Sequence, residues 1–185
     1  TPNTSSAASD VYKRQVGGGI SGIISAKLSA EKGLDTILID DKSFLGGSTI
    51  YQENECYKIN SINSNKWLAN EIESLKNYPN LLIKNRTSLA AFHGYNYLLA
   101  RENLTDHLSI NERKGKVRQR LWKIRAKKVI IASGSIERPL IFSNNDRPGI
   151  ILSSSIKKYI DYYGVKTGEN ISLFTNNDSC LLYTS

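Results

Sequence analysis

Cysteines, histidines and long apolar runs are scarce in this 185-residue sequence. The two cysteines, Cys56 and Cys180, form neither a disulfide framework nor a C-x-x-C pair, which predicts a reducing compartment and argues against a dithiol-active reductase. No apolar run approaches the roughly 18 residues of a membrane span. No apolar segment follows the N-terminal charges as it does in a secretory signal. We therefore expect a cytoplasmic protein without membrane contact.

Residues that would point to catalysis are equally scarce. His93 and His107 are the only histidines, and His107 lies beside Asp106 in the sequence. Sequence neighbours do not face each other on a helix or a strand, so this pair predicts no proton relay. No serine lies in a nucleophile elbow, and no His/Cys cluster has metal-ligand spacing. The sequence identifies no catalytic residue and no metal site, and any chemistry would belong to a bound cofactor.

Positive charge, in contrast, is in excess, with a net charge of +8 and an isoelectric point near 9.4. Much of it lies in one run from Arg113 to Lys128, which includes Trp122. A basic run with an aromatic residue is compatible with nucleic-acid binding. Its approximate alternation of polar and apolar residues is also typical of a half-buried strand with a solvated face. We favour the second interpretation, because no recognised nucleic-acid module accompanies the charge.

A glycine-rich stretch near the N-terminus carries the strongest functional signal. Gly17, Gly19 and Gly22 have the spacing G-x-G-x-x-G, and Ser21 lies inside the motif as a further cofactor-binding candidate. In a dinucleotide-binding βαβ unit, the first glycine permits a tight turn and the second lets the backbone approach a pyrophosphate. The third lets the helix pack closely against the strand, and the helix N-terminus presents N–H groups to the phosphates.

The residues that follow the motif support the same interpretation. A helix-patterned segment leads through Ala26, small enough for close packing against a sheet, to an apolar strand that ends at Asp40. A carboxylate at this position accepts hydrogen bonds from both hydroxyls of an adenosine ribose and disfavours a 2′-phosphate. NAD or FAD therefore fits better than NADP. Asp41 is either a second ribose contact or solvent-exposed.

Two further segments are candidates for the same site. Gly46-Gly47 is either a plain turn or a loop that resembles the second phosphate-side loop of flavoproteins with two dinucleotide-binding domains. Ala132-Ser133-Gly134 follows an apolar strand and resembles the A-T-G segment of that superfamily, with serine in place of threonine. The hydroxyl is retained, so the departure is mild.

The order of elements predicts an α/β fold: a Rossmann-like FAD/NAD(P)-binding domain with a parallel sheet and an antiparallel β-meander. The meander spans residues 87–131. Helices are predicted at 20–32, 66–77 and 153–163, and strands at 36–39, 81–83, 129–131 and 171–175. In the first helix, the helical spacing of Ile20, Ile23, Ile24 and Leu28 predicts one apolar face. Serines occupy the N-terminal end of the third helix, where they are expected to cap it. Residues 16–149 form the dinucleotide-binding domain, and residues 150–179 begin a second nucleotide-binding subdomain that is truncated.

Both ends of the chain depart from this pattern. A buried, apolar central strand should precede Gly17 in a Rossmann unit, but residues 11–15 include Lys13 and Arg14. Burying each of these charges without a partner would cost several kcal/mol. We therefore predict that residues 1–15 are a non-native or disordered tail and that the first strand is degraded. Residues 180–185 are predicted to be a second non-native tail. Both resemble translated adapter sequence flanking a gene fragment.

Several longer blocks resemble the alpha subunit of heterotetrameric sarcosine oxidase. They lie at residues 105–108, 120–139, 142–149, 163–165 and 174–179. The resemblance covers roughly residues 16–179 and implies that the chain is a fragment of an oxidoreductase subunit. It implies that the dinucleotide fold holds NAD, and that a beta subunit carries the flavin that oxidises sarcosine.

The resemblance also implies a reaction. Enzymes of this kind demethylate sarcosine oxidatively, yielding glycine, hydrogen peroxide and a one-carbon unit, and the C-terminal portion of their alpha subunit binds folate. A fragment without that portion is expected to be inactive alone. Related subunits of opine, proline and glycine dehydrogenases share the fold and hold FAD, which leaves an FAD-binding amino-acid dehydrogenase subunit as the alternative.

Overall fold

A computed structural model describes residues 5–51 and 58–176, and for residues 5–15 it describes the backbone alone. The strands are β1 (Ser5–Val16), β2 (Thr36–Ile39), β3 (Lys58–Ile59), β4 (Ile62–Asn63), β5 (Leu81–Lys84), β6 (Thr87–His93), β7 (Tyr97–Asn103) and β8 (Gln119–Ile131). The α-helices are α1 (Ile20–Glu31), α2 (Ser64–Ser74), α3 (Ile110–Arg113) and α4 (Ser153–Asp161). Short 3-10 helices span Gly47–Tyr51, Leu75–Asn77 and Gly94–Asn96.

Six of these strands form one sheet in the order β5-β2-β1-β8-β7-β6. Strands β5, β2, β1 and β8 run parallel to one another, whereas β7 pairs antiparallel with both β8 and β6. Parallel neighbours need a crossover connection, which α1 provides between β1 and β2 and α2 provides between β2 and β5. The predicted parallel sheet with an antiparallel meander is confirmed.

Both faces of the sheet are covered. The first core, on the helix side, consists of Ile23, Ala26, Leu38, Leu45, Leu68 and Leu75. The second, on the meander side, consists of Ile37, Ile39, Leu98, Ala100, Ile124 and Ala126. Because successive side chains of a strand point to opposite faces, Leu38 lies in the first core and its neighbours Ile37 and Ile39 lie in the second. A strand that is buried on both faces has a continuous apolar sequence, which explains the unbroken run in β2.

The meander curls back over the sheet until it reaches strands that are not its neighbours. At the start of β6, the N–H of Thr87 donates to the carbonyl oxygen of Asp40, just beyond β2, at 2.8 Å. Lys84 of β5 forms an ion pair with Glu102 of β7 at 3.3 Å. Strand β6 therefore lies beside the carboxyl end of β2.

The first strand departs from the sequence prediction of a disordered tail. The backbone of Ser5–Val16 pairs with β8 over most of its length and with β2 from Lys13 to Val16. Backbone N–H and C=O groups are the same in polar and apolar residues, so a polar segment can hydrogen-bond between two strands. The non-native origin of residues 1–15 stays a prediction, and residues 1–4 and 177–185 lie outside the described part of the chain.

Helix α1 matches its predicted span but not its predicted buried face. Ile23 is fully buried as expected, whereas Ile24 and Leu28 are 37% and 52% exposed. The buried face instead consists of Gly22, Ile23, Ala26, Ser29 and Ala30. Small residues dominate it because the helix lies close to the sheet and the adjoining glycine loop. The small volume of these residues, rather than their hydrophobicity, determines that this face of the helix is the one that is buried.

The C-terminal segment contains the predicted helix but lacks the predicted strand. Helix α4 forms at Ser153–Asp161, but residues 171–175 have no regular structure and Ile171, Leu173 and Phe174 are exposed. A strand requires a hydrogen-bonding partner, and no described strand lies beside this segment. The apolar sequence was therefore insufficient to specify a strand here. The proposed second subdomain stays a prediction.

Glu137 caps the N-terminus of α4, where the sequence pattern assigned the capping role to serines. The hydroxyl of Ser153 and the N–H of Ser154 each donate to the Glu137 carboxylate at 2.8 Å. A carboxylate at this position accepts from N–H groups that have no intrahelical partner and interacts favourably with the helix dipole. The contact connects α4 to the loop that follows β8.

The Glu137→Gln variant is expected to lose a pH-dependent contribution to stability. Partial burial acts to raise the pKa of Glu137, but hydrogen bonds from Ser154 and Ser153 lower it below its ordinary value of 4.5. A lowered carboxyl pKa stabilises the folded state above pH 4.5, and this stabilisation is lost as the pH falls through the folded-state pKa. Thermal unfolding should show a lower Tm for the variant at neutral pH and a difference that closes in acid. A difference independent of pH would contradict the capping role.

Among the helices that the structure describes, none combines the length and apolarity needed to cross a membrane.

Candidate functional site

The candidate site lies where the parallel strands end. β1, β2 and β8 run in the same direction, so Gly17, Asp40 and Ala132 follow their carboxyl ends at one edge of the sheet. Backbone hydrogen bonds continue past the strands, from Gly17 N to Ile39 O at 2.9 Å and from Ala132 N to Val16 O at 2.7 Å. Open α/β sheets bind ligands at the carboxyl ends of their strands, at the point where the connections from two adjacent strands lead to opposite faces of the sheet.

Two glycines of the motif are required by close backbone packing. An added Cβ at Gly22 would lie 1.7 Å from the carbonyl oxygen of Gly17, and one at Gly17 would lie 2.1 Å from the carbonyl oxygen of Ala132. Gly17 also has φ +109°, which favours glycine. These contacts bring the start of α1, the glycine turn and the segment after β8 together.

The middle glycine of the motif is different, because space is open beside it. An added Cβ at Gly19 would meet nothing nearer than the Cα of Gly47, at 4.0 Å. Gly19 is the N-cap of α1 and has no side chain to cap the helix. The first N–H groups of a helix have no intrahelical acceptor and favour an anion. The open side of Gly19 is therefore suited to the approach of a phosphate.

The Gly46-Gly47 loop packs directly against the glycine motif. Gly46 N donates to Gly18 O at 2.7 Å. An added Cβ at Gly47 would lie 2.9 Å from the Cα of Gly19, and both loop glycines have positive φ. The structure thus brings Gly46-Gly47 against Gly18-Gly19, which are distant from it in sequence. The role of this loop as a second phosphate-side loop stays a prediction.

Asp40 is held by the backbone beside the glycine turn. Gly18 N donates to its Oδ2 at 2.5 Å and Lys42 N donates to its Oδ1 at 2.8 Å. Each oxygen retains a lone pair for a further donor, such as a ribose hydroxyl. The Asp40 side chain is half-buried, and Asp41 is exposed. Both line a cleft at this edge, with a volume of about 290 Å³.

The cleft contains both predicted and unpredicted residues. Its lining consists of Val16, Gly17, Ile39, Asp40, Asp41, Thr87, Ser88, Leu89 and Ser133. Thr87, Ser88 and Leu89 of β6 were missed by sequence reasoning because they carry no motif. Only the curl of the meander places them opposite Asp40. Their position immediately after the third parallel strand was the single available signal.

Other predicted residues lie at the margin of this cleft or away from it. Ala132 packs against Gly17, whereas Gly134 is exposed, with φ +74° and open space around it. Ser21 is exposed, and its carbonyl accepts from Ser25 Oγ at 2.6 Å. His93, to which the sequence assigned no role, ends β6 at the tip of the meander, with its ring 6.0 Å from that of Tyr97.

Taken together, the strand order, the glycine contacts and the acid after β2 define a Rossmann-like α/β fold of the FAD/NAD(P)-binding class. Over 164 residues the chain is 35% identical to sarcosine oxidase subunit alpha from Corynebacterium sp. (strain U-96) and 34% identical to that from Corynebacterium sp. (strain P-1). Each match covers 89% of this chain. The resemblance to sarcosine oxidase alpha subunits is confirmed, and the chain spans 17% of the length of these curated relatives.

Structural comparison gives a consistent result. The chain is similar to L-proline dehydrogenase from P. horikoshii, with a TM-score of 0.62 and 26% sequence identity. The similarity covers 89% of this chain and 31% of that one. No protein-family profile matches the chain.

Proposed function

We propose that this chain is the dinucleotide-binding part of an oxidoreductase subunit. The observation that carries the proposal is the open space at Gly19, between the start of α1 and Gly47. The preceding residue, Gly18, donates its N–H to the carboxylate of Asp40 and so places that carboxylate beside the open space. In the proposal, the pyrophosphate lies against Gly19 and the α1 N-terminus, the adenosine ribose binds Asp40, and the cleft beside β6 accepts the adenosine. The bound group would supply hydride-transfer chemistry.

NAD is the proposed cofactor, and FAD is the second candidate. Asp40 binds the ribose in either case, because both cofactors carry an adenosine with a free 2′-hydroxyl. The resemblance to sarcosine oxidase alpha subunits supports NAD. The similarity to L-proline dehydrogenase supports FAD, because related amino-acid dehydrogenase subunits are expected to hold it. Purified protein distinguishes the two, since bound flavin absorbs visible light and NAD does not.

The proposed physiological role is the oxidative demethylation of sarcosine by a cytoplasmic hetero-oligomer in which a beta subunit carries the flavin. The names of the curated relatives support it. Dinucleotide binding is the function proposed for this chain and amine oxidation is the function proposed for the beta subunit, so we expect the 185-residue chain to be inactive alone. An assay for hydrogen peroxide from sarcosine, with and without added flavin-bearing subunit, tests this expectation.

The Gly19→Ala variant tests dinucleotide binding. The added methyl group fits the protein, because nothing lies closer than 4.0 Å, but it occupies the space through which a phosphate must approach. Isothermal titration with NAD and with FAD should show an affinity at least about tenfold weaker than that of the unmodified chain, equivalent to about 1.4 kcal/mol. The Tm should fall by only a few degrees, because alanine is a poorer N-cap than glycine by about 1 kcal/mol.

Gly94→Ala is the matched control, because nothing lies within 4 Å of the position and it is remote in sequence from the motif. It should bind both dinucleotides as the unmodified chain does. Equal affinity of the Gly19→Ala variant would contradict the proposed pyrophosphate position. Failure of the unmodified chain to bind either dinucleotide would contradict the proposed function itself.

A further inference from the structure

The outer face of the meander carries a regular arrangement of cations and apolar side chains. Along β8, Ile124 and Ala126 are buried in the second core, whereas the alternate residues Lys123, Arg125 and Lys127 are exposed. On β7, Leu98 and Ala100 are buried, and the outward positions hold Tyr97, Leu99 and Arg101. Successive outward residues of a strand are about 6.6 Å apart, so the three cations of β8 extend over about 13 Å.

The antiparallel register interleaves these cations with apolar residues. Tyr97 lies opposite Arg125, Leu99 lies opposite Lys123, and Arg101 lies opposite Leu121. Directly opposed side chains in such a pair are neighbours, with Cβ atoms about 5 Å apart. Arg101, Lys123 and Arg125 each therefore have a half-buried apolar side chain beside them. This set of outward residues on β7 and β8 is termed the basic face.

Carboxylates are sparse on the basic face. In the part of the chain that the structure describes with side chains, Arg101, Lys123 and Arg125 form no ion pair. The carboxylates of the meander are engaged elsewhere: Glu102 points inward to Lys84 and Trp122, Asp106 pairs with Arg118 beyond the strand, and Glu112 accepts hydrogen bonds from Ser109. On the neighbouring β1, Asp10 lies in register with Arg125. The face retains an excess of positive charge.

We propose that the basic face docks an acidic protein surface, namely that of a partner subunit. This inference rests on the proposed function, because the curated relatives are named as subunits of an oxidase. Alternating cationic and apolar side chains suit a protein interface, in which apolar contacts lie among charge pairs. The face is on the opposite side of the meander from the second core, and none of its residues lines the cleft. Docking would therefore leave the dinucleotide cleft accessible.

Fluorescence anisotropy tests the proposal with a labelled peptide of 20 alternating glutamate and serine residues, compared with a labelled 20-nucleotide single-stranded DNA. The face variant combines Arg101→Gln, Lys123→Gln and Arg125→Gln. The control variant combines Lys32→Gln, Lys66→Gln and Lys76→Gln, which removes the same charge from the helical side. Exposed charge pairs each contribute modestly to binding, so the loss of three cations should weaken peptide binding about tenfold.

The control variant should bind the peptide within about twofold of the unmodified chain, a difference of less than about 0.5 kcal/mol. Equal weakening in both variants, or no peptide binding by the unmodified chain, would overturn the docking proposal. Tighter binding of DNA than of peptide would overturn it in favour of nucleic-acid binding. NAD and FAD titrations of the same variants separate the docking proposal from the proposed dinucleotide binding. If a variant binds dinucleotide normally and the unmodified chain does not bind the peptide, only the docking proposal is contradicted.

Discussion

Replacing Gly22 with alanine is expected to destabilise the fold by about 3 kcal/mol or more, because the new methyl group has no space. Its carbon would lie 1.7 Å from the carbonyl oxygen of Gly17 and 2.9 Å from the adjoining carbonyl carbon. Both neighbours are backbone atoms, which cannot move aside by changing a rotamer. Helix α1 would have to shift away from the glycine turn, which would disrupt the packing of Ile23 and Ala26 in the first core.

Alanine has a higher helix propensity than glycine by about 1 kcal/mol, so at an unhindered helical position the same substitution would stabilise. The expected sign is therefore set by the tertiary contact. Chemical denaturation followed by circular dichroism measures the change, with Gly94→Ala as the control that should stay within about 0.5 kcal/mol. A Gly22→Ala variant as stable as the unmodified chain would show that α1 does not lie against Gly17.

Replacing Glu102 with alanine is the second substitution with a large expected effect. Its side chain is 10% exposed and accepts a hydrogen bond from Trp122 Nε1 at 2.7 Å. It also forms ion pairs with Lys84 Nζ at 3.3 Å and with Arg120 Nη1 at 3.6 Å. The Lys84 ammonium also lies 4.7 Å from the centre of the Trp122 ring. Removing the carboxylate leaves a largely buried ammonium and an indole N–H without this acceptor. We expect a loss of about 3 kcal/mol.

The consequence extends beyond the ion pairs, because Lys84 and Glu102 connect strands that are not neighbours in the sheet. Their contact helps to hold the curled meander beside β2, and with it the β6 wall of the cleft. Denaturation with Glu73→Ala as the control tests this: the Glu73–Lys76 pair has a shorter contact of 2.6 Å but is exposed. The control should lose less than about 1 kcal/mol. Equal losses in the two variants would contradict the role assigned to the buried cluster.

The comparison of the two ion pairs shows why distance alone does not rank electrostatic contributions. The exposed pair is screened by water, and its lysine can be solvated again when the glutamate is removed. Lys84 is 20% exposed in its side chain and is far less able to do so. Burial, which depends on the complete fold, therefore determines the expected difference between the variants.

The motif spacing predicted a separate role for each glycine but not the atoms that each one meets in this molecule. Gly17 and Gly22 are required by backbone contacts within the protein, whereas Gly19 faces open space. Gly17 meets Ala132, more than 100 residues away, and Gly19 lies beside Gly47, about 30 residues away. These neighbours depend on the tertiary structure.

The helical spacing of Ile24 and Leu28 predicted a buried face that the structure does not have. A hydrophobic pattern marks which side of a helix is favourable to bury, but the distance between helix and sheet decides which side fits. In α1 the close approach to Gly17 favours the side with Gly22, Ala26 and Ala30. Conversely, the apolar residues 171–175 remained without a strand, because no described neighbour supplies hydrogen bonds.

The sequence by itself determined helices α1, α2 and α4, the apolar strands β2 and β5, the glycine turn before α1 and the acid after β2, because local periodicity and short-range backbone constraints encode these features. Tertiary structure alone decided that Gly46-Gly47 packs on Gly18-Gly19, that β6 forms the wall opposite Asp40, and that Glu102 is shared by Lys84 and Trp122. These contacts join residues distant in sequence. Their formation depends on the curl of the sheet, which no local pattern specifies.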